Sequence, residues 1–165
     1  MPEEFFAVVN ERDEVIDRQP RSEVHRLGLL HRAVHVLVFN ARGKIFLQKR
    51  SLKKDRQPGV WDSSASGHVD SGEDYDTCAV RELREEIGLS LAQPPERLFK
   101  LDAGPETDRE FVWVYRCESE GPFALNAEEI ETGGWFAPAA VTKWMAERPQ
   151  DFAGALLFIW RRLGL

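Results

Sequence analysis

The chain has 165 residues, 42% of them apolar and 30% charged, proportions of an ordinary globular protein able to bury a core without staples. A formal net charge of −6 argues against a nucleic-acid scaffold and against an anionic membrane surface as partner, although a local basic cluster can still bind phosphate. One domain over residues 1–165 is the natural count.

Cys78 and Cys117 show no framework spacing and suit a reducing compartment. The first ten residues have no basic start and no long apolar run, and no stretch approaches the length needed to span a bilayer, so cytoplasm is the expected location.

In chain order, Phe5 to Asn10 reads as a strand, with Val15-Ile16-Asp17 as its partner across a polar turn. Ser22 to Leu30 reads as a short helix capped by Ser22. Ala33 to Phe39 is a β-rich apolar run, Asn40 to Gly43 a turn and Ile45 to Gln48 a strand, together a hairpin of the core sheet. Leu52 to Pro58 is a polar, basic loop, and Trp61 to His68 is extended. Asp74 is the N-cap of a helix, Asp76 gives its first turn negative charge and Gly88 stops it. After the Gln93-Pro94-Pro95 break, Leu98 to Leu101 and Phe111 to Tyr115 read as strands joined by a polar loop, and Gly134 to Phe136 as a short strand. Pro138 to Glu147 and Asp151 to Arg162 read as helices, the second with an acidic start and a basic end that suit its dipole. Interleaved strands and helices of this kind predict an α/β/α sandwich around a mixed sheet.

The helix after Asp74 carries the chemistry. Ala79, Val80, Leu83 and Ile87 share an apolar arc of about 100°, and Glu82, Glu85 and Glu86 share the arc beside it. Like charges three and four residues apart destabilise a bare helix. Three carboxylates at the edge of a buried stripe ask for a hard cation such as Mg²⁺, or else form a solvated face with partners such as Arg81.

The full stretch GHVDSGEDYDTCAVRELREEIGL, from Gly67 to Leu89, resembles the Nudix box, G-x5-E-x7-R-E-U-x-E-E-x-G-U with U aliphatic, at every constrained position. The resemblance implies the Nudix α/β/α sandwich and a loop-helix-loop whose glutamates hold Mg²⁺, or Mn²⁺ in its place, against a diphosphate. Carried over by position, Glu82, Glu85 and Glu86 are metal ligands, the Gly67 carbonyl is a further one, and Glu73 and Arg81 brace the loop.

Two features flank the box. Five cations in KRSLKKDR, from Lys49 to Arg56, precede a Pro-Gly turn leading into it; they could clamp phosphate oxygens or simply be solvated. His25, His31 and His68 are each, taken singly, more often surface or core groups than ligands.

Residues 10–135 also resemble the Nudix branch typified by type I isopentenyl-diphosphate isomerase: a His, a strand ending in Phe-Asn, a basic pair, a Lys, Pro-Gly-x-Trp and Gly-His in HRAVHVLVFNARGKIFLQKRSLKKDRQPGVWDSSASGH. That resemblance implies metal-binding roles for His31 and His68, and for His25 if one residue is deleted. It implies diphosphate-binding roles for Arg50, Lys54 and Arg21, an acidic metal ligand at Asp108 and a catalytic glutamate at Glu110. The isomerase has a catalytic cysteine immediately before its Gly-His, where this chain has Ser66, and an arginine where this chain has Glu82. An unactivated serine is a far weaker proton-transfer group than a cysteine near neutral pH.

The expectation is therefore a Mg²⁺-dependent hydrolase cleaving the diphosphate linkage of a small organic molecule, by family habit a nucleoside derivative, with no nucleic acid or membrane partner, working as a monomer or homodimer. Glu85, Glu110, Glu128 and Glu129 remain candidates for the general base. Trp113, Phe123 and Trp135 either stack on a base or pack in the core. The rival readings are an isomerase of isopentenyl diphosphate and a non-catalytic nucleotide-binding module.

Overall fold

The computed structural model describes residues 3–165. Its strands are β1 (Phe5–Val9), β2 (Val15–Pro20), β3 (His31–Phe39), β4 (Ile45–Arg50), β5 (Trp61–Asp62), β6 (Ala65–His68), β7 (Glu96–Leu101), β8 (Glu110–Glu118) and β9 (Ile130–Phe136). Its helices are α1 (Arg21–Leu27), α2 (Tyr75–Ile87), α3 (Pro138–Glu147) and α4 (Gly154–Leu163).

Everything is arranged about β3. It pairs in parallel with β8 along its whole length, from His31 opposite Glu110 to Phe39 opposite Glu118. Its other neighbours are antiparallel: β1 at its start, β6 along its middle and β4 at its end. β2 extends the sheet beyond β1, β7 beyond β8, and β5 and β9 flank β4. The sheet is mixed, as expected.

Side-chain alternation on β3 divides the core into two layers. Val34, Val36 and Val38 face α2, where they meet Phe46, Ala79, Leu83 and Ile87. Ala33, Leu37 and Phe39 face the opposite way, onto Val141 and Met145 of α3 and Leu156, Ile159 and Trp160 of α4. This is the α/β/α sandwich predicted from the sequence.

α2 has the caps its sequence advertises. The Asp74 side chain accepts the Thr77 N–H at 2.7 Å, and Gly88 ends the helix in the left-handed region at φ 70°. Asp74→Ala should lower unfolding free energy by about 1 kcal/mol, read by urea denaturation. On its inward face Cys78 is fully buried, while Val80 is only half-buried.

Several element boundaries differ from expectation, three of them for a tertiary reason that can be named. α1 starts at Arg21 after Pro20, and the Ser22 N–H is taken by the Glu3 carboxylate at 2.9 Å, so Ser22 is not the cap. β9 starts at Ile130, four residues earlier than expected, because pairing with β4 carries it through Gly133 and Gly134. α4 starts at Gly154; the Asp151 carboxylate is held by Trp144 Nε1 at 2.8 Å and Arg148 Nε at 2.9 Å instead of opening a helix. Both cysteines are free, and no described helix is long and apolar enough to cross a membrane.

Candidate active site

A polar cleft of about 360 Å³ opens where β6 leads into the α2 loop. Glu82, Glu85 and Glu86 line one end of it. Lys54 and Glu129 stand beside them, and Arg21, Arg50, Arg56 and Glu110 line the remainder.

The α2 glutamates are set by three local constraints. Arg81 donates to Glu73 through Nε at 2.7 Å and Nη2 at 2.9 Å, and to the His68 carbonyl at 3.1 Å, which ties the start of the loop to the helix. Its Nη1 reaches Glu82 at 2.8 Å and Glu85 at 3.1 Å. Glu86 accepts at Oε1 from Gln48 Nε2 at 3.0 Å and from the Ser66 N–H at 2.9 Å. Gly67, on the β6 face turned toward α2, lies so close to Glu82 that a Cβ there would overlap its carboxyl group.

Burial pushes the Glu86 carboxyl up to about 7, against the pull of the Ser66 N–H, Lys54 and Gln48. Burial, reinforced by the charge of Glu86, raises Glu82 well above its ordinary value. Two sequestered carboxylates facing a third acid, each accepting its hydrogen bonds at Oε1 and leaving Oε2 available, fit a divalent cation by chemistry as well as by position.

At the other end of the cleft, sheet register collects a second group. β3 begins with His31; parallel β8 brings Glu110 opposite it, and β6 brings His68 opposite Ala33. α1 adds His25. The nitrogens of His25, His31 and His68 lie within 4.8 Å of one another, and His68 Nε2 is 3.5 Å from Glu110 Oε2. His31 Nδ1 bonds the Leu29 carbonyl at 2.8 Å, which makes Nδ1 the protonated nitrogen and leaves buried Nε2 with a free lone pair. His25 Nε2 is likewise buried without a partner. Two orphaned imidazole nitrogens turned toward a third imidazole and a carboxylate fit a cation with nitrogen preference.

These rings are kept neutral by burial: His31 falls to about 4, and His68 is lowered well below its ordinary value. A histidine with a depressed native pKa binds its proton more readily in the unfolded chain, so its stabilising effect is lost as pH falls from about 6.5 toward 4. In EDTA, wild type should lose about 1.4 kcal/mol per pH unit more than His31→Gln across that window, measured by urea melts at stepped pH. Parallel slopes would show that His31 titrates normally. Glu110 moves the other way; burial, with Asp108 and Asp62 nearby, pushes it up to about 8.

The basic residues divide. Lys54 is ion-paired with Glu129. Arg50 is largely committed to its own loop: Nη2 donates to the Arg56 carbonyl at 2.8 Å, Nε to the Gln57 carbonyl at 3.1 Å and Nη1 to Asp62 at 3.3 Å. Arg21 sits at the rim, paired with Asp55 at 2.8 Å. Arg56 pairs with Asp108 at 3.1 Å. Trp113, Phe123 and Trp135 all pack against the α2 side of the core, and among the described residues no Phe, Tyr or Trp lines the cleft.

Sequence reasoning passed over Gln48, Asp62 and His35. Gln48 is a buried polar residue in the apolar run IFLQKR, a legible signal. His35 lines the cleft and bonds Ser63 Oγ at 2.7 Å through Nδ1; nothing in its surroundings in sequence separates it from a core residue.

A family model for the NUDIX domain matches residues 29–155. The chain belongs to the Nudix family. This Nudix protein is 35% identical over 156 residues to an uncharacterized Nudix hydrolase of Yersinia pestis, covering 93% of this chain and 84% of that one. It is 30% identical over 165 residues to an isopentenyl-diphosphate Delta-isomerase of Serratia proteamaculans, covering 98% and 92% respectively. A crystal structure from Deinococcus radiodurans superposes with a TM-score of 0.85 at 29% identity, covering 96% of this chain and 98% of that one. Its relatives place it among the Nudix hydrolases, in the branch that includes the isomerase.

Proposed function

We propose that this Nudix enzyme hydrolyses the diphosphate linkage of a small organic molecule in a Mg²⁺-dependent reaction, with Mn²⁺ able to substitute. The observation that carries this reading is the convergence of Glu82, Glu85 and Glu86 with Lys54 on one cleft. The three carboxylates, with the Gly67 carbonyl, would hold the metal, and Lys54 would hold the phosphate that does not react. Arg50 supports this indirectly, since it fixes the loop that presents Lys54. A divalent cation bound there supplies charge neutralisation on the diphosphate and makes water more acidic. With no Phe, Tyr or Trp in the lining among the described residues, a nucleoside part of the substrate would extend toward the open rim at Arg21 without stacking on one of these rings.

The histidine cluster with Glu110 favours a second reading, an isomerase of a prenyl diphosphate. Ser66 weighs against it, standing where that reaction uses a thiol. In the hydrolase reading His31 and His68, with His25, would hold a second cation beside Glu110. A panel of nucleoside triphosphates, ADP-ribose, NADH, dinucleoside polyphosphates, CoA and isopentenyl diphosphate, followed by phosphorus NMR with and without Mg²⁺, decides between them. Metal-dependent cleavage supports the hydrolase. An allylic product with both phosphates intact would replace it with the isomerase, and binding without turnover would replace both with a nucleotide-binding module.

A further inference from the structure

We propose that the Lys54–Glu129 ion pair is a latch that substrate opens: a phosphate group takes Lys54 from Glu129, and the released Glu129 carboxylate accepts the proton of the attacking water. The proposal rests on the hydrolase reading above and selects one base among the candidates left open by the sequence.

The two side chains come from separate connections. Lys54 lies on the loop between β4 and β5, and Glu129 on the segment entering β9. Both line the cleft beside Glu86. Lys54 is 17% exposed and Glu129 36%, so the pair sits at the cleft wall where solvent screens it incompletely. The backbones beneath are tied together: the Ser51 N–H donates to the Glu129 carbonyl at 2.9 Å, and the Lys54 N–H to the Ser51 carbonyl at 3.2 Å. The Glu129 segment also hangs from α2 itself, because the Asn126 N–H donates to the Glu86 carbonyl at 2.9 Å and the Glu129 N–H to the Asn126 carbonyl at 3.0 Å. The side-chain pair can therefore part without either loop moving.

As the pair stands, neither group can do the work its position suggests. The ammonium already has an anionic partner where a phosphate oxygen would sit, and the carboxylate is engaged by that ammonium. A diphosphate brings more negative charge to Lys54 than one carboxylate does, and its oxygens accept charge-assisted hydrogen bonds. Exchange leaves the Glu129 carboxylate next to the phosphate just bound. Hydrolysis then balances without another reactant. The water oxygen forms the new P–O bond, and the anhydride P–O bond breaks with its electron pair leaving on the departing phosphate. The water proton passes to Glu129. Before substrate arrives the base is masked, which suits an enzyme whose cleft is open to water.

The test compares wild type, Glu129→Gln, Lys54→Met and the double variant by calorimetric titration with methylenediphosphonate, a diphosphate analogue that cannot hydrolyse, at fixed Mg²⁺. Glutamine keeps the shape but competes for Lys54 without charge, so Glu129→Gln should bind the analogue about fivefold more tightly than wild type while its kcat falls about a hundredfold. Lys54→Met should bind more weakly, and adding Glu129→Gln to it should bring no tightening. Circular dichroism melts confirm that each variant is folded. Equal or weaker analogue binding by Glu129→Gln, including no binding by any of the proteins, overturns the latch, and an unchanged kcat overturns the base. Because the titration needs no turnover, it reads the latch even if the substrate panel finds no hydrolysis.

Discussion

Glu86→Gln is expected to lower kcat/KM by about 10³ while raising the stability of the metal-free protein. The activity loss follows from removing one charged ligand where several kcal/mol of transition-state charge stabilisation is supplied. The stability gain follows from burial. Glu86 is 6% exposed, and its carboxyl rises from an ordinary 4.5 to about 7. Between those values the native state holds a proton that the unfolded chain has released, so wild-type stability falls as pH rises through the window. Over 2.5 units, the difference between those two values, the loss approaches about 3 kcal/mol. Glutamine keeps an oxygen for Gln48 and for the Ser66 N–H but never carries the charge. In EDTA the variant should therefore gain on wild type by roughly 1–3 kcal/mol at pH 8 and by little at pH 5. Urea melts at the two pH values, together with hydrolysis assays in Mg²⁺, check both halves. A variant less stable than wild type at pH 8 would make Glu86 a structural residue and remove it from the metal site.

How far the sequence could be read depended on whether a feature was local. α2 declared itself through Asp74, its apolar spacing and Gly88, all within fifteen residues, and the mixed sheet followed from strand runs separated by turn residues. Where the outcome turned on partners distant in the chain, sequence was silent. The pairing of Lys54 with Glu129, 75 residues further on, for example, depends on how two connections meet, and a charged side chain reads the same whether it faces a ligand or a counter-ion. His25 matched its position only with a one-residue deletion, yet α1 packs it against His31 and His68 at ring separations of 5.6 and 5.5 Å. Helix packing tolerates such slips, and spacing along the chain does not report them. The three aromatics considered for stacking pack into the core layer under α2 and do not line the cleft, Trp113 and Trp135 through the register of β8 and β9 and Phe123 from the segment between those strands.

Gly67→Ala should reduce kcat/KM by about 10² with a change in stability below about 1 kcal/mol. Gly67 is not in the left-handed region, so alanine adopts its backbone conformation without strain. The obstacle is lateral. β6 passes directly beneath Glu82, and the added methyl would occupy the position of its carboxyl group. The atoms that must give way are the end of a flexible side chain, held by Arg81 Nη1 at 2.8 Å, whereas the Leu83 and Ile87 contacts that anchor α2 lie elsewhere on the helix. The helix should therefore remain docked while Glu82 swings out of the cleft. A double-mutant cycle isolates this effect. With Glu82→Ala as the background the clash no longer exists, so Gly67→Ala should cost almost nothing further, a coupling nearly as large as the single effect. If the two losses add instead, alanine acts through the backbone of residue 67 and not through Glu82. Retention of activity within threefold in the single variant would mean that Glu82 can bind metal from a displaced position, and the close packing of Gly67 under that carboxylate would then have no part in catalysis.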